Sequence, residues 1–185
     1  MQLAAVALSF ILIALLVVTS SRAAFVAQSE NVTNQVTAAA VDLTDNDSGT
    51  AMFTSVPTMV PLTNVDRCID VTYTGSVDPA MVMLYINAPP TGGLAPFLNL
   101  TIDIGADTND AFRTCNTFVA SANVYTGTLA DFATNRTSYA NGVATWDPGP
   151  GTETRTFRFR VAVQNDPLAE GLSSTFGFSW ETKTA

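Results

Sequence analysis

The sequence predicts an all-β protein, an antiparallel β-sandwich with one or two short helices that follows a hydrophobic signal helix. Beyond the N-terminal segment the chain is rich in Thr, Val, Ala, Phe and Asn, and charged residues make up only 13% of the whole. β-Branched and aromatic residues in this proportion are typical of strands with one buried face. The remaining length is enough for one domain with its own core, which we place at residues 37–185.

The N-terminal segment at residues 3–18 is an apolar run interrupted only by Ser9. A membrane-spanning helix needs about 20 such residues, so the run fits the hydrophobic region of a secretory signal peptide better. We assign residues 1–23 to this signal peptide and expect a signal peptidase to cut after Ala23 or Ala24, where small residues cluster. The alternative is an uncut anchor that tethers the domain to a membrane.

Cleavage at this point leaves an extended arm, residues 24–36, ahead of the domain. The arm is polar, with four apolar side chains that are able to dock along a sheet edge: Phe25, Val26, Val32 and Val36. The alternative is an arm that folds back on its own domain or stays disordered, as chain ends often do.

Composition excludes several classes of function. The chain has 16 acidic and 8 basic side chains, a net charge of −8 and no histidine. Because an acidic surface repels phosphate groups, nucleic acid is not an expected partner. Without histidine, neither an H-E-x-x-H zinc protease nor a Ser-His-Asp hydrolase can be built, so we expect no enzyme and no cofactor. Asp66 with Asp70, and Asp107 with Asp110, are candidate acid/base pairs, but exposed carboxylates in turns are usually only solvated.

Cys68 and Cys115 are the only two cysteines. An even number in an exported chain predicts a disulfide, which here would join two strands or a strand and a loop. Closing a loop of this length stabilises a fold by about 4 kcal/mol in the chain-entropy model. The alternative is a pair of buried free thiols.

The turn after residue 43 faintly resembles a calcium loop. Asp45 and Asp47 are two residues apart, and Gly49 follows them. Carboxylates at this spacing are able to converge on a hard cation. The closing Glu of a calcium loop is missing, and any tight turn selects the same residue types.

Strand patterns cover most of the domain. The 80–87 segment is apolar on both faces and is predicted to be a central strand, whereas 97–105 alternates between apolar and polar residues. Thr128 is a predicted N-cap for a short helix that buries Leu129 and Phe132. The predicted strands are 36–43, 50–54, 67–74, 80–87, 97–105, 118–125, 152–164 and 174–182.

The last two of these strands are the most strongly patterned. In 152–164 one face carries Phe157, Phe159, Val161 and Val163, and the other carries Thr156, Arg158 and Arg160. The two arginines are expected to face solvent or a salt-bridged neighbour, because the total charge is negative. In 174–182 the alternating residues Phe176, Phe178 and Trp180 are expected to point inward. Since few residues separate the two strands, we expect them to pair.

Several short patterns together resemble the TasA/camelysin family of exported bacterial proteins. They are A-A-F at 23–25, T-A-A-A-V-D-L at 37–43, V-P-L-T-N-V-D at 60–66, T-G-S at 74–76 and S-T-F-G-F-S-W-E-T at 174–182. The chain departs from the family in its two cysteines and in having T-N-V-D at 63–66 where a Pro-Gly-Asp turn is more common.

The resemblance implies a jelly-roll-like sandwich that is released by a dedicated signal peptidase and polymerises into fibres of the biofilm matrix or cell surface. In such fibres the N-terminal arm of one subunit lies as a strand in the sheet of the next, so the partner is a second copy, with or without an accessory protein. We therefore expect residues 25–36 to be a donor strand. Some members are described as metalloproteases, for which this chain lacks the usual ligands. A monomeric binding module for carbohydrate or a surface protein is the alternative function.

Overall fold

The computed structural model describes residues 41–53, 59–76, 78 and 81–183, all within a compact unit at Ala39–Ala185. The predicted signal peptide, its cleavage at Ala23 or Ala24 and the arm with Phe25, Val26, Val32 and Val36 lie outside the described residues.

The described residues form eight strands and one α-helix. The strands are β1 (Val41–Asp45), β2 (Asn64–Gly75), β3 (Val82–Tyr85), β4 (Leu98–Ala106), β5 (Ala120–Thr128), β6 (Val143–Trp146), β7 (Gly151–Val163) and β8 (Ser179–Glu181). The helix α1 is Leu129–Asn135, and short 3₁₀ turns lie at Ala95–Phe97, Tyr139–Asn141 and Pro167–Ala169. The all-β prediction is confirmed.

The strands form two antiparallel sheets. The five-stranded sheet has the order β1-β2-β7-β4-β5, and the three-stranded sheet has the order β6-β3-β8. The 80–87 segment was predicted to be a central strand, and β3 does lie between two partners. Its burial on both faces follows from this position, because the inner face meets the core and loops cover part of the outer face.

Strands β2 and β7 form the longest pairing, from Asn64 opposite Ala162 to Gly75 opposite Gly151. The alternation in β7 explains this register, because a slip of one residue would turn every apolar side chain outward. Phe157 and Phe159 are fully buried between the sheets, where they pack against Trp180 with ring centroids 5.5 and 6.0 Å away.

The predicted pairing of the last two strands is wrong. Strand β8 pairs with β3, and Trp180 lies opposite Leu84 in the three-stranded sheet. Both edges of β7 are already occupied by β2 and β4. The chain after Val163 therefore crosses to the other sheet.

Two smaller predictions also differ from the structure. The predicted strand at 50–54 is wrong in its described part, because Met52 and Phe53 form a turn. Strand β6 was missed in the sequence, since V-A-T-W is short and is followed closely by Pro148. The helix was predicted correctly: the Thr128 hydroxyl accepts a hydrogen bond from the Asp131 amide at 3.1 Å, and Leu129 and Phe132 are fully buried.

Candidate functional site

An open groove runs beside β8, the outermost strand of the three-stranded sheet. Trp180 places β8 over β7, and no further strand follows β8 in the described part of the chain. The five-stranded sheet continues beneath this edge through β2 to β1. The sheets are therefore unequal in width, and the inner face near β1 has no strand of the described residues above it.

The narrow part of this groove has a volume of about 240 Å³. Its floor is formed by β1 and by Val71 of β2, and its wall is formed by residues 178–180. Leu43 supplies a half-buried apolar side chain to the floor. This part has the position that a fourth strand beside β8 would occupy.

The wide part has a volume of about 850 Å³ and a mostly apolar lining. Phe176 and Leu172 form one wall, while Val161 and Val163 at the end of β7 form the floor. Phe176 and Phe178 are neighbours along one extended segment, with ring centroids 5.7 Å apart. We call the two parts together the β8 groove.

The wall of the wide part is fixed by a backbone contact with the loop before β4. Thr91 and Thr175 exchange two backbone hydrogen bonds of 3.0 Å, and the Leu94 amide donates to the Ser173 carbonyl at 3.1 Å. Gly92 between them has a φ of +81°, and a Cβ there would collide with the Ser173 carbonyl. Only glycine allows so close an approach in this backbone conformation.

Polar atoms in the groove have hydrogen-bonding capacity left over. The indole nitrogen of Trp180 and the hydroxyl of Ser174 are buried, and neither has a hydrogen-bond partner among the described residues. Buried polar groups are normally paired, since an unpaired one costs about 1–3 kcal/mol. An added strand would bring backbone groups into reach of this wall.

The calcium candidates lie at the end of β1. The Asp47 amide donates to the Asp45 carboxylate at 3.0 Å, and the Gly49 amide donates to the Asp47 carboxylate at 2.6 Å. Both carboxylates therefore shape the turn. Burial raises the pKa of Asp45 above its usual value. The described residues include no group of three or more Asp, Glu, Cys or His side chains placed to hold a metal ion.

The candidate acid/base pair Asp66 and Asp70 is divided between different partners. The Asp66 carboxylate receives two hydrogen bonds of 2.8 Å from Arg160, which hold the pKa of Asp66 below its usual value. The Asp70 carboxylate accepts from Thr156 at 2.5 Å and from Asn46 at 2.9 Å. Burial raises the pKa of Asp70, and the charges of the other candidate pair, Asp107 and Asp110, raise it further.

The predicted disulfide is confirmed. Cys68 in β2 is bonded to Cys115 in the loop before β5, with their Cα atoms 5.3 Å apart. The same loop lays the Phe118 ring against the guanidinium of Arg158 at 4.8 Å. Arg158 also binds Asp103 at 2.7 Å, so the salt-bridged neighbour predicted for the arginine face is present.

The described residues define a class: a disulfide-bonded antiparallel β-sandwich with an open groove at the edge of its smaller sheet. In comparisons with known proteins, no family model matches the chain, and no curated protein matches it. None of the helices in the described ranges has the length and apolar character to cross a membrane.

Proposed function

We propose that the protein is a secreted structural subunit that polymerises into extracellular or cell-surface fibres by donor-strand exchange. The arm at residues 25–36 of one copy lies in the β8 groove of the next. The observation that carries the proposal is the groove itself, which has an unequal sheet above it and an apolar floor below it. Donor and acceptor are different surfaces, so the contact repeats without closing.

The pattern of the arm suits this role. Val32 and Val36 lie on one face of an extended strand, because side chains alternate with a period of two. That face meets the apolar floor, while the backbone of the arm pairs with the free edge of β8. Backbone pairing gives affinity and the apolar side chains give register.

The added strand also completes the fold that we propose. With the arm beside β8 the smaller sheet has four strands, and the sandwich is jelly-roll-like. Export by the signal helix at residues 1–23 is supported by the disulfide, because disulfides persist in oxidising compartments outside the cytoplasm. The fibre belongs to a matrix or a cell surface, and an accessory protein is a further possible partner there.

The test compares chains that begin at Phe25 and at Val36 by negative-stain electron microscopy. We expect filaments from the first and monomers from the second. Val32→Asp in the longer chain should abolish filaments, because it places a charge on the apolar floor. Gln35→Asp is the matched control on the opposite face and should leave them intact.

Monomers from the Phe25 chain under varied pH and concentration would contradict the proposal. A monomeric binding module would then be the better function. The wide part of the groove favours this second candidate, since its volume of about 850 Å³ lies in the range of ligand pockets. Binding of carbohydrate or of a surface protein would be measured next.

A further inference from the structure

Exposed apolar side chains concentrate at one end of the sandwich. Six large apolar side chains are exposed among the described residues, and four of them flank the wide part of the groove. They are Val60, Leu62, Leu168 and Leu172, which are 65%, 71%, 73% and 40% exposed. We call these four residues the apolar end. A patch of this kind on a soluble domain usually marks an interaction surface.

The apolar end lies where β2 begins and β7 finishes. The Leu62 amide donates to the Val163 carbonyl at 2.8 Å, which fixes the 60–62 turn against the last residue of β7. Leu168 lies on the 3₁₀ turn that follows β7, and Leu172 forms part of the groove wall. The patch is therefore continuous with the mouth of the β8 groove.

The N-terminal arm joins the domain at the opposite end. Val41, the first residue of β1, lies opposite Gly75, and Gly75 lies opposite Gly151. The chain before Val41 therefore meets the sheet at the end farthest from Leu62. We call the Gly75 and Gly151 pair, with Gly149, the glycine end. A Cβ added at Gly149 or Gly151 would meet nothing within 4 Å, so this end is open.

Lengths and directions then relate the two ends. An extended arm of 12 residues spans about 40 Å, and β2 with its 12 residues has about the same length. An arm that leaves the glycine end of one copy is thus long enough to fill the groove of a second copy placed end to end. It enters that copy beside Leu62 and Leu172.

We propose that the apolar end of each copy packs against the glycine end of the preceding copy, as a second contact beside the donor strand. This proposal takes its direction from the proposed function. A second copy is a better occupant than an anionic membrane surface, because Asp166 and Glu170 border the patch and the chain has a net charge of −8.

The test uses the full chain, purified after export, and measures the lowest concentration at which filaments sediment. We expect the double substitution Leu62→Glu/Leu168→Glu to raise this concentration tenfold or more. Val119→Glu is the matched control, since Val119 is 76% exposed but lies beside β5. It should change the concentration less than twofold. Far-UV circular dichroism checks that both variants are folded.

The outcomes separate this contact from the donor strand. If the double variant assembles like Val119→Glu, the end contact is overturned and the effect of Val32→Asp still tests the donor strand alone. If the double variant fails while Val32→Asp assembles normally, the end contact stands and the donor strand fails. No assembly of the unaltered chain overturns both. Binding of the unaltered chain to neutral phosphatidylcholine vesicles, lost in the double variant, would assign the patch to lipid and overturn the end contact.

Discussion

The two sheets differ in strand length and in how their edges are held. Strands β2 and β7 pair over twelve residues, whereas β3 and β8 pair over three. On its outer face the larger sheet also has the disulfide and two arginine–aspartate ion pairs. The smaller sheet ends in a three-residue strand beside an open groove. The difference indicates that the larger sheet carries the stability and that the edge of the smaller sheet is available for binding.

The largest expected effect comes from the core above β7. Phe159→Ala should lower the free energy of unfolding by about 4 kcal/mol, because it removes a fully buried ring and leaves a cavity. Phe178→Ala in the segment before β8 should cost about half as much, since that side chain is only partly buried. Urea unfolding of both variants measures the contrast. Equal losses would show that the smaller sheet is as important to stability as the larger one.

Removing the disulfide should have the next largest effect. Cys68→Ala/Cys115→Ala is expected to lower the free energy of unfolding by about 3 kcal/mol, because the unfolded chain regains the freedom of a 47-residue loop. The same loss should follow reduction of the unaltered chain with dithiothreitol, and the variant should not respond to it. Dithiothreitol sensitivity that persists in the variant would argue against this assignment.

The buried ion pair is expected to contribute less. Asp103→Ala should destabilise the protein by about 2 kcal/mol, since it leaves the partly buried guanidinium of Arg158 without its carboxylate. Asp66→Ala removes the equivalent partner of Arg160 at a more exposed position, so its cost should be under about 1 kcal/mol. Thermal unfolding of the two variants gives the comparison. A larger loss for Asp66→Ala would reverse the order of burial that we infer.

The smallest effect is a pH dependence of opposite sign for two residues of β2. The lowered pKa of Asp66 gives stability that is present above the usual aspartate pKa of about 4 and is lost as the pH falls through the lower folded value. The raised pKa of Asp70 acts the other way, because its protonation favours the folded state as the pH falls. Asp66→Asn should therefore reduce acid destabilisation, and Asp70→Asn should increase it. Urea midpoints between pH 3 and 6 would detect slopes of the wrong sign.

Sequence patterns predicted the elements better than their arrangement. The alternation around Phe157 and the cap at Thr128 are local signals, and both led to correct elements. The partner of β8 was mispredicted because nearness along the chain says nothing about which edges of β7 are free. The β8 groove was not predicted, since it is the space between segments far apart in sequence, such as Leu43 and Trp180. The buried position of Asp103 was also missed, because its partner Arg158 lies on another strand.

The twelve-residue register of β2 and β7 has a mechanical consequence for a fibre that lies along these strands. Hydrogen bonds between antiparallel strands are perpendicular to the strand direction. Tension along the fibre would therefore load all of these bonds together in shear, from Asn64 to Gly75, and would not open them one after another like a zip. A filament of such subunits would resist stretching, although each subunit is joined to the next without a covalent bond.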